Sequence, residues 1–274
     1  MNRTSVLAMA LLIFSVLSQA QETRIFKSRY LSLPDTVLIY KPDDYNAEKK
    51  YPLVILLHGY SQNYKQWSQT IDVQKLSNQY KMIIVTPDGF TSFYINSAFD
   101  KQSQWEDFFF KILFPKINKD FHIDTQNIFV SGLSMGGYGA LSLFLSYPDF
   151  FNTACSTSGA LEINYTKYEK ISRHFWHSNR LTKDAVRIFG NPGSTNWQQN
   201  NIYEILKRKK IRKPFLIDCG TEDPLYPFTY RLKILADNMK LPLTFIAQPG
   251  NHNTEYWHKS IEQHFIYFGQ HLKN

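Results

Sequence analysis

Short apolar runs alternate with longer stretches of mixed polarity along this chain. Residues 53–57 (Leu53-Val54-Ile55-Leu56-Leu57) are apolar throughout, as expected of a strand buried on both faces. Comparable runs occur at 82–85, 128–130, 151–155, 215–217 and 243–246. Two earlier segments, 25–31 and 36–40, flank Leu33-Pro34-Asp35 and read as a hairpin-like antiparallel edge. The run-and-turn pattern thus predicts about eight strands. Helical stretches fall between them at 66–80, 104–119, 135–147, 228–238 and 255–272, with Pro148 as a stop just past the third. This alternation predicts an α/β domain, a mostly parallel sheet with helices on both faces. Segment 162–214 is longer than one crossover needs. Its helix-like pieces at 183–188 and 203–208 flank Gly190-Asn191-Pro192-Gly193, and it reads as an insertion over one rim of the sheet. No repeat, low-complexity tract or Gly/Ser linker divides the chain.

The first twenty residues stand apart. Arg3 precedes an apolar run from Val6 to Leu17, and Ser18-Gln19-Ala20 offers small residues of the kind a signal peptidase reads. The run is too short for a comfortable membrane span. The expectation is a cleaved signal peptide over 1–20, a single domain over 21–274, a secreted or periplasmic location and no stable membrane anchor.

Composition narrows the field further. A chain that is 43% hydrophobic and 16% aromatic is not disordered. The net charge of +8 is scattered, and its densest run, Lys207 to Lys210 with Arg212 and Lys213, accompanies no nucleic-acid-binding motif. It reads as a solvated face, with no nucleic-acid partner. Cys155 and Cys219 make neither a disulfide framework nor a metal cluster, and both fall in or beside core strands as expected buried thiols.

The chemistry concentrates at Gly132-Leu133-Ser134-Met135-Gly136, a match to G-x-S-x-G. The motif alone is weak. Here a strand precedes it and a small-residue helix follows (Gly136, Gly137, Gly139, Ala140), the setting of a nucleophile elbow. A serine hydroxyl needs a base, and in an elbow fold the order is Ser, acid, His. Of the histidines after Ser134, His252 lies in the turn-rich Gln248-Pro249-Gly250-Asn251-His252 after the last strand. His174, His177, His258, His264 and His271 fall in the insertion or on helices. Asp218, Glu222 and Asp223 compete as the acid, and Asp223, beyond the Gly220 turn, is preferred. The oxyanion donors expected are the N–H of Met135 and of Tyr60, which follows His58-Gly59 after an early buried strand.

Six segments taken together resemble the esterase D group of α/β hydrolases, especially its tributyrin esterase and acetylesterase branch. They are Leu57-His58-Gly59-Tyr60 with Trp67, Pro87-Asp88-Gly89 with Ser92-Phe93-Tyr94, and Gly132 through Ala140. Ser158-Gly159-Ala160-Leu161, Cys219 through Tyr226, and Pro249-Gly250-Asn251-His252 with Tyr256-Trp257 complete the set. Thr254 and Ile95-Asn96-Ser97 depart from the group's usual pattern. The resemblance implies an α/β-hydrolase fold, a Ser134–His252–Asp223 triad and Tyr60 and Met135 as oxyanion donors. It implies a serine carboxylesterase of short acyl, acetyl above all, esters of small molecules or carbohydrates, acting through an acyl-enzyme with no metal or organic cofactor. Trp67, Phe93, Tyr94, Trp105 and Trp257 are candidates for the pocket, each with core packing as the alternative. Feruloyl esterase and mycolyltransferase-like activities are enzymatic rivals, and a non-catalytic binding module is the rival of a different class.

Overall fold

The computed structural model describes residues 21–209 and 211–273; the expected signal peptide lies outside them. Eight strands form one sheet: β1 (Gln21–Phe26), β2 (Asp35–Tyr40), β3 (Tyr51–Leu57), β4 (Ile83–Pro87), β5 (Ile123–Leu133), β6 (Thr153–Thr157), β7 (Phe215–Gly220) and β8 (Leu243–Gln248). Their order is β1-β2-β4-β3-β5-β6-β7-β8. The β1–β2 and β2–β4 pairs are antiparallel, and every pair from β4–β3 onward is parallel. This is the architecture of an α/β hydrolase.

The apolar runs sit where a doubly covered sheet requires them. Leu53, Ile55 and Leu57 of β3 pack into one core, and Val54 and Leu56 into the other. Successive side chains of a strand point to opposite faces, so only a helix layer on each side buries such a run. The helices are α1 (Gln66–Thr70), α2 (Val73–Tyr80), α3 (Trp105–Phe108), α4 (Phe114–Phe121), α5 (Met135–Ser146), α6 (Tyr165–Trp176), α7 (Arg180–Phe189), α8 (Thr195–Gln199), α9 (Ile202–Arg208), α10 (Tyr226–Asn238) and α11 (Thr254–Gln270). Helices α1, α2 and α11 cover one face, and the core of the other is built on α3 to α5, the insertion and α10. Among the described residues no helix is long and apolar enough to cross a membrane.

Several boundaries differ from the sequence pattern. The first strand is Gln21–Phe26, not 25–31, because backbone pairing with β2 defines this exposed edge (Gln21 opposite Tyr40, Phe26 opposite Asp35) and apolarity does not. The helix expected over 66–80 breaks at Ile71, whose backbone is extended, and restarts where Asp72 accepts the Lys75 N–H. The helix expected over 104–119 contains a π turn at Phe109–Leu113. Pro115 follows that turn and has no N–H for the Lys111 carbonyl. Strand β5 extends well beyond 128–130, its exposed Thr125 and Gln126 having hidden the early part. In the insertion, α6 and α8 join the two expected pieces. The α6 sequence buries fully only Tyr168 and Ser172, so its apolar periodicity is faint.

Strand order reverses between β3 and β5, with β4 on one side of β3 and β5 on the other. The crevice beyond the carboxyl ends of strands at such a switch point is where open α/β sheets bind ligands.

Candidate active site

Ser134 stands between the end of β5 and the start of α5 with φ 55° and ψ −115°, a backbone state costly for a residue with a side chain. The surroundings hold it there. Its N–H donates to the Thr157 carbonyl at 3.1 Å, and its own carbonyl accepts from Tyr138 and Ala160 N–H at 3.1 and 3.0 Å. The flanking glycines are required by space. A Cβ on Gly132 would lie 2.3 Å from the Gly136 backbone, and one on Gly136 2.2 Å from the Leu57 carbonyl oxygen. Helix α5 therefore starts hard against β3 and β5, lifting the Ser134 hydroxyl above the sheet.

The loops after β7 and β8 bring up the other two groups. They are tied together by Thr221 N–H to Gln248 O and Glu222 N–H to Gly250 O, both 3.0 Å. Gly220 lets them touch, since a Cβ there would meet the Gly250 carbonyl oxygen at 2.2 Å. Asp223 is buried. One carboxylate oxygen accepts the Leu225 N–H at 2.7 Å, and the other lies 2.8 Å from His252 Nδ1. A carboxylate facing Nδ1 makes that nitrogen the donor, which leaves Nε2 as an acceptor. Nε2 lies 3.1 Å from Ser134 Oγ. Of the competing acids, Glu222 is exposed and Asp218 is engaged elsewhere, with His264.

The turn after β3 is braced from several sides. His58 donates from Nδ1 to the Gly59 carbonyl at 2.8 Å and accepts the Gly89 N–H at Nε2 at 2.7 Å, the hydrogen bonds of a neutral ring. The Gly59 carbonyl and the Tyr60 N–H belong to one planar peptide, so fixing the carbonyl aims the N–H the other way. Tyr60 and Met135 both line the cavity that holds Ser134 and His252. Met135 opens α5, and a first-turn N–H has no intrahelical acceptor.

Three of the five aromatic residues named as pocket candidates lie elsewhere. Trp67, Tyr94 and Trp105 are core side chains whose polar atoms tie down carbonyls. Trp67 Nε1–H donates to Leu57 O (3.0 Å), Tyr94 O–H to His58 O (2.8 Å) and Trp105 Nε1–H to Asp88 O (3.0 Å). Tyr94 also fills space that only glycine leaves open, at Gly89 and Gly139. Trp257 does line the cavity, with its ring 5.1 Å from that of His252. So does Phe93, held at φ 54°.

The cavity measures about 410 Å³. Its wall opposite the sheet is α6, which contributes Tyr168, Ile171, Phe175 and Trp176, with Phe175 5.0 Å from the His252 ring. Sequence reading passed over these residues. The spacing Tyr168, Ile171, Phe175 places them on one helical face and was the available signal. Gln66, Gln69 and Thr70 of α1 add polar groups to the lining.

Residues 28–268 match the family described as "Putative esterase". The chain is 27% identical over 260 residues to an acetyl esterase of Caldicellulosiruptor saccharolyticus, spanning 88% of this chain and 94% of the relative. FphF, a fluorophosphonate-binding serine hydrolase of Staphylococcus aureus, superposes with a TM-score of 0.78 at 23% identity, over 91% of this chain and 98% of that one. A ferulic acid esterase superposes with a TM-score of 0.74 at 22% identity, over 92% and 98% of the two chains. At these identities the structural likenesses speak for the fold.

Proposed function

The chain belongs to the Esterase family, and from that premise we propose that it hydrolyses short-chain carboxylic esters, acetyl esters of carbohydrates in particular, through a Ser134 acyl-enzyme. The observation that carries the reading is the placement of His252 between Ser134 Oγ and the Asp223 carboxylate.

His252 Nε2 takes the Ser134 proton as Oγ attacks the ester carbonyl. The Tyr60 and Met135 N–H groups hold the oxyanion of the tetrahedral intermediate. On collapse the C–O bond to the alcohol breaks, and the imidazolium returns its proton to the leaving oxygen. Water then adds to the acyl-enzyme, giving its proton to His252, and the acid departs as Ser134 is reprotonated. Asp223 keeps the ring oriented and stabilises its charged form. The name of the acetyl esterase relative supports a short acyl group. The polar groups in the cavity lining suit a hydroxylated alcohol, and the sequence of residues 1–20 suits action outside the cytoplasm.

An aromatic acyl group is the second reading, favoured by Phe93, Phe175 and Trp176 in the cavity wall. Hydrolysis of p-nitrophenyl acetate, butyrate and octanoate, acetylated xylan and methyl ferulate separates the two. Wild-type protein turns over the short esters, and Ser134→Ala loses about a million-fold in kcat or falls to background. Faster turnover of methyl ferulate selects the aromatic reading. No turnover of any ester, or equal rates in wild type and Ser134→Ala, overturns the esterase assignment.

A further inference from the structure

Tyr60 lines the cavity, and its side chain ties it to the insertion. Its phenol donates to Asp184 Oδ2 of α7 at 2.5 Å, across 124 residues of sequence. Burial, with the Asp184 carboxylate beside it, holds the phenol proton well above its usual range. The ring meets Trp176, the last residue of α6 and part of the cavity wall, edge to face at 4.9 Å. The Arg180 guanidinium lies over both rings, 5.6 Å from Tyr60 and 6.0 Å from Trp176. Helix α7 is itself braced. Arg187 bonds Asp100 and Thr91, and Ser97 Oγ–H donates to the Ile188 carbonyl at 2.8 Å. Those partners belong to the loop that carries Phe93 into the cavity.

We propose that Asp184 is a positioning residue of the esterase reaction: through the Tyr60 phenol it sets the direction of the Tyr60 N–H. The inference rests on the reading of that N–H as an oxyanion donor. The turn around Tyr60 is closed by the Gln62 N–H donating to the Gly59 carbonyl at 3.2 Å. Ser61 follows Tyr60 at φ 62°, and the restraints from His58 and Gln62 both reach the preceding peptide at the Gly59 carbonyl. The anchor on the other side is the side chain, and its hold is on the insertion. The position of the insertion and the oxyanion geometry are thereby one mechanical unit, with Trp176 as the piece that an occupant of the cavity touches. An N–H aimed slightly away from the developing charge forfeits stabilisation that appears only in the transition state.

Kinetics of Asp184→Ala, Tyr60→Phe, the double variant and Asp184→Asn on p-nitrophenyl acetate test this, beside inhibition by a trifluoromethyl ketone, which forms an oxyanion on Ser134. Each single change to Ala or Phe lowers kcat on the order of 10-fold, with KM nearly constant, and weakens the ketone by a similar factor. The double variant is no worse than either single one. Asp184→Asn, whose amide oxygen still accepts the phenol, recovers most of the rate. Melting temperatures stay within a few degrees, because Asp184 is partly exposed and Tyr60→Phe removes one oxygen. Unchanged kcat in both singles, multiplying losses in the double, or an equal loss in Asp184→Asn overturns the proposal. A wild type without activity instead overturns the esterase reading beneath it.

Discussion

Asp218 holds His264 Nε2 at 2.6 Å in the middle of the protein, and both side chains are buried. The other His264 nitrogen lies 2.8 Å from Ser131 Oγ. The fold thus contains a second Ser, His and Asp in series, closed off from the cavity. It cross-ties β5, β7 and α11. The free Asp218 oxygen accepts the Thr157 hydroxyl at 2.8 Å, and the Thr157 carbonyl takes the Ser134 N–H. Two aspartates five residues apart therefore do different work, one bracing the sheet beneath the elbow and the other facing His252.

That division predicts opposite effects of one chemical change. Asp223→Asn lowers kcat by about 10⁴, because the ring loses the partner that orients it, with little change in stability. Asp218→Asn destabilises by about 3 kcal/mol, the cost of breaking a buried pair, while the folded fraction keeps most of its activity. Urea unfolding and steady-state kinetics on both variants decide it; a 10⁴-fold loss in Asp218→Asn would reverse the assignment.

Trp67 and Phe175 separate core from cavity. Trp67→Phe leaves the Leu57 carbonyl without its side-chain donor and costs about 1–3 kcal/mol, with KM unaltered. Phe175→Ala raises KM several-fold while the melting temperature hardly moves, since the ring is only partly buried and faces the cavity. A KM effect from Trp67→Phe would place that indole in contact with substrate.

Two glycines respond in opposite directions to alanine. At Gly136 the new Cβ would press on the Leu57 and His58 carbonyls, at 2.2 and 2.7 Å. Both are backbone atoms that cannot swing aside, so the variant loses about 1–3 kcal/mol and activity with it. At Gly269, near the end of α11, nothing lies within 4 Å of the new atom, and better helix propensity stabilises by about 0.5 kcal/mol. Thermal melts of the two proteins give the comparison, and equal shifts would count against the close approach of α5 to β3.

Glu106 gives the fold a pH dependence. Burial pushes its carboxyl up from 4.5 to about 7, and nearby Asp107 adds to the shift, against a lowering by the hydrogen bond from Tyr147. Between those two values the unfolded chain has released the proton and the folded one keeps it. Stability therefore falls as pH rises through that window and stays lower above it. Glu106→Gln has no such proton, so its melting temperature gains on the wild type from pH 5 to pH 8. Parallel melting curves across that range would show that Glu106 titrates normally.

Features written locally along the chain are legible before any fold is known. The doubly buried runs at 53–57 and 82–85, the elbow around Ser134 and the strand–loop setting of His252 are all readable from neighbouring residues. They depend on backbone periodicity and on turn chemistry that acts within a few positions. Tertiary structure alone decided which polar and aromatic groups meet. Placement beyond the Gly220 turn favours Asp223 over Asp218 in sequence, but the partner of each, His264 from α11 for Asp218 and His252 from the β8 loop for Asp223, is set by the tertiary structure. Trp67, Tyr94 and Trp105 carry the same apolar signal as Trp257, yet the first three are drawn inward by carbonyls at the ends of β3 and β4. The α6 wall left only a faint stripe, Tyr168, Ile171 and Phe175, because a helix half-buried over a cavity packs against no continuous core. Periodicity records how much of a residue is buried, and the identity of its partner is set by chain segments far away in sequence.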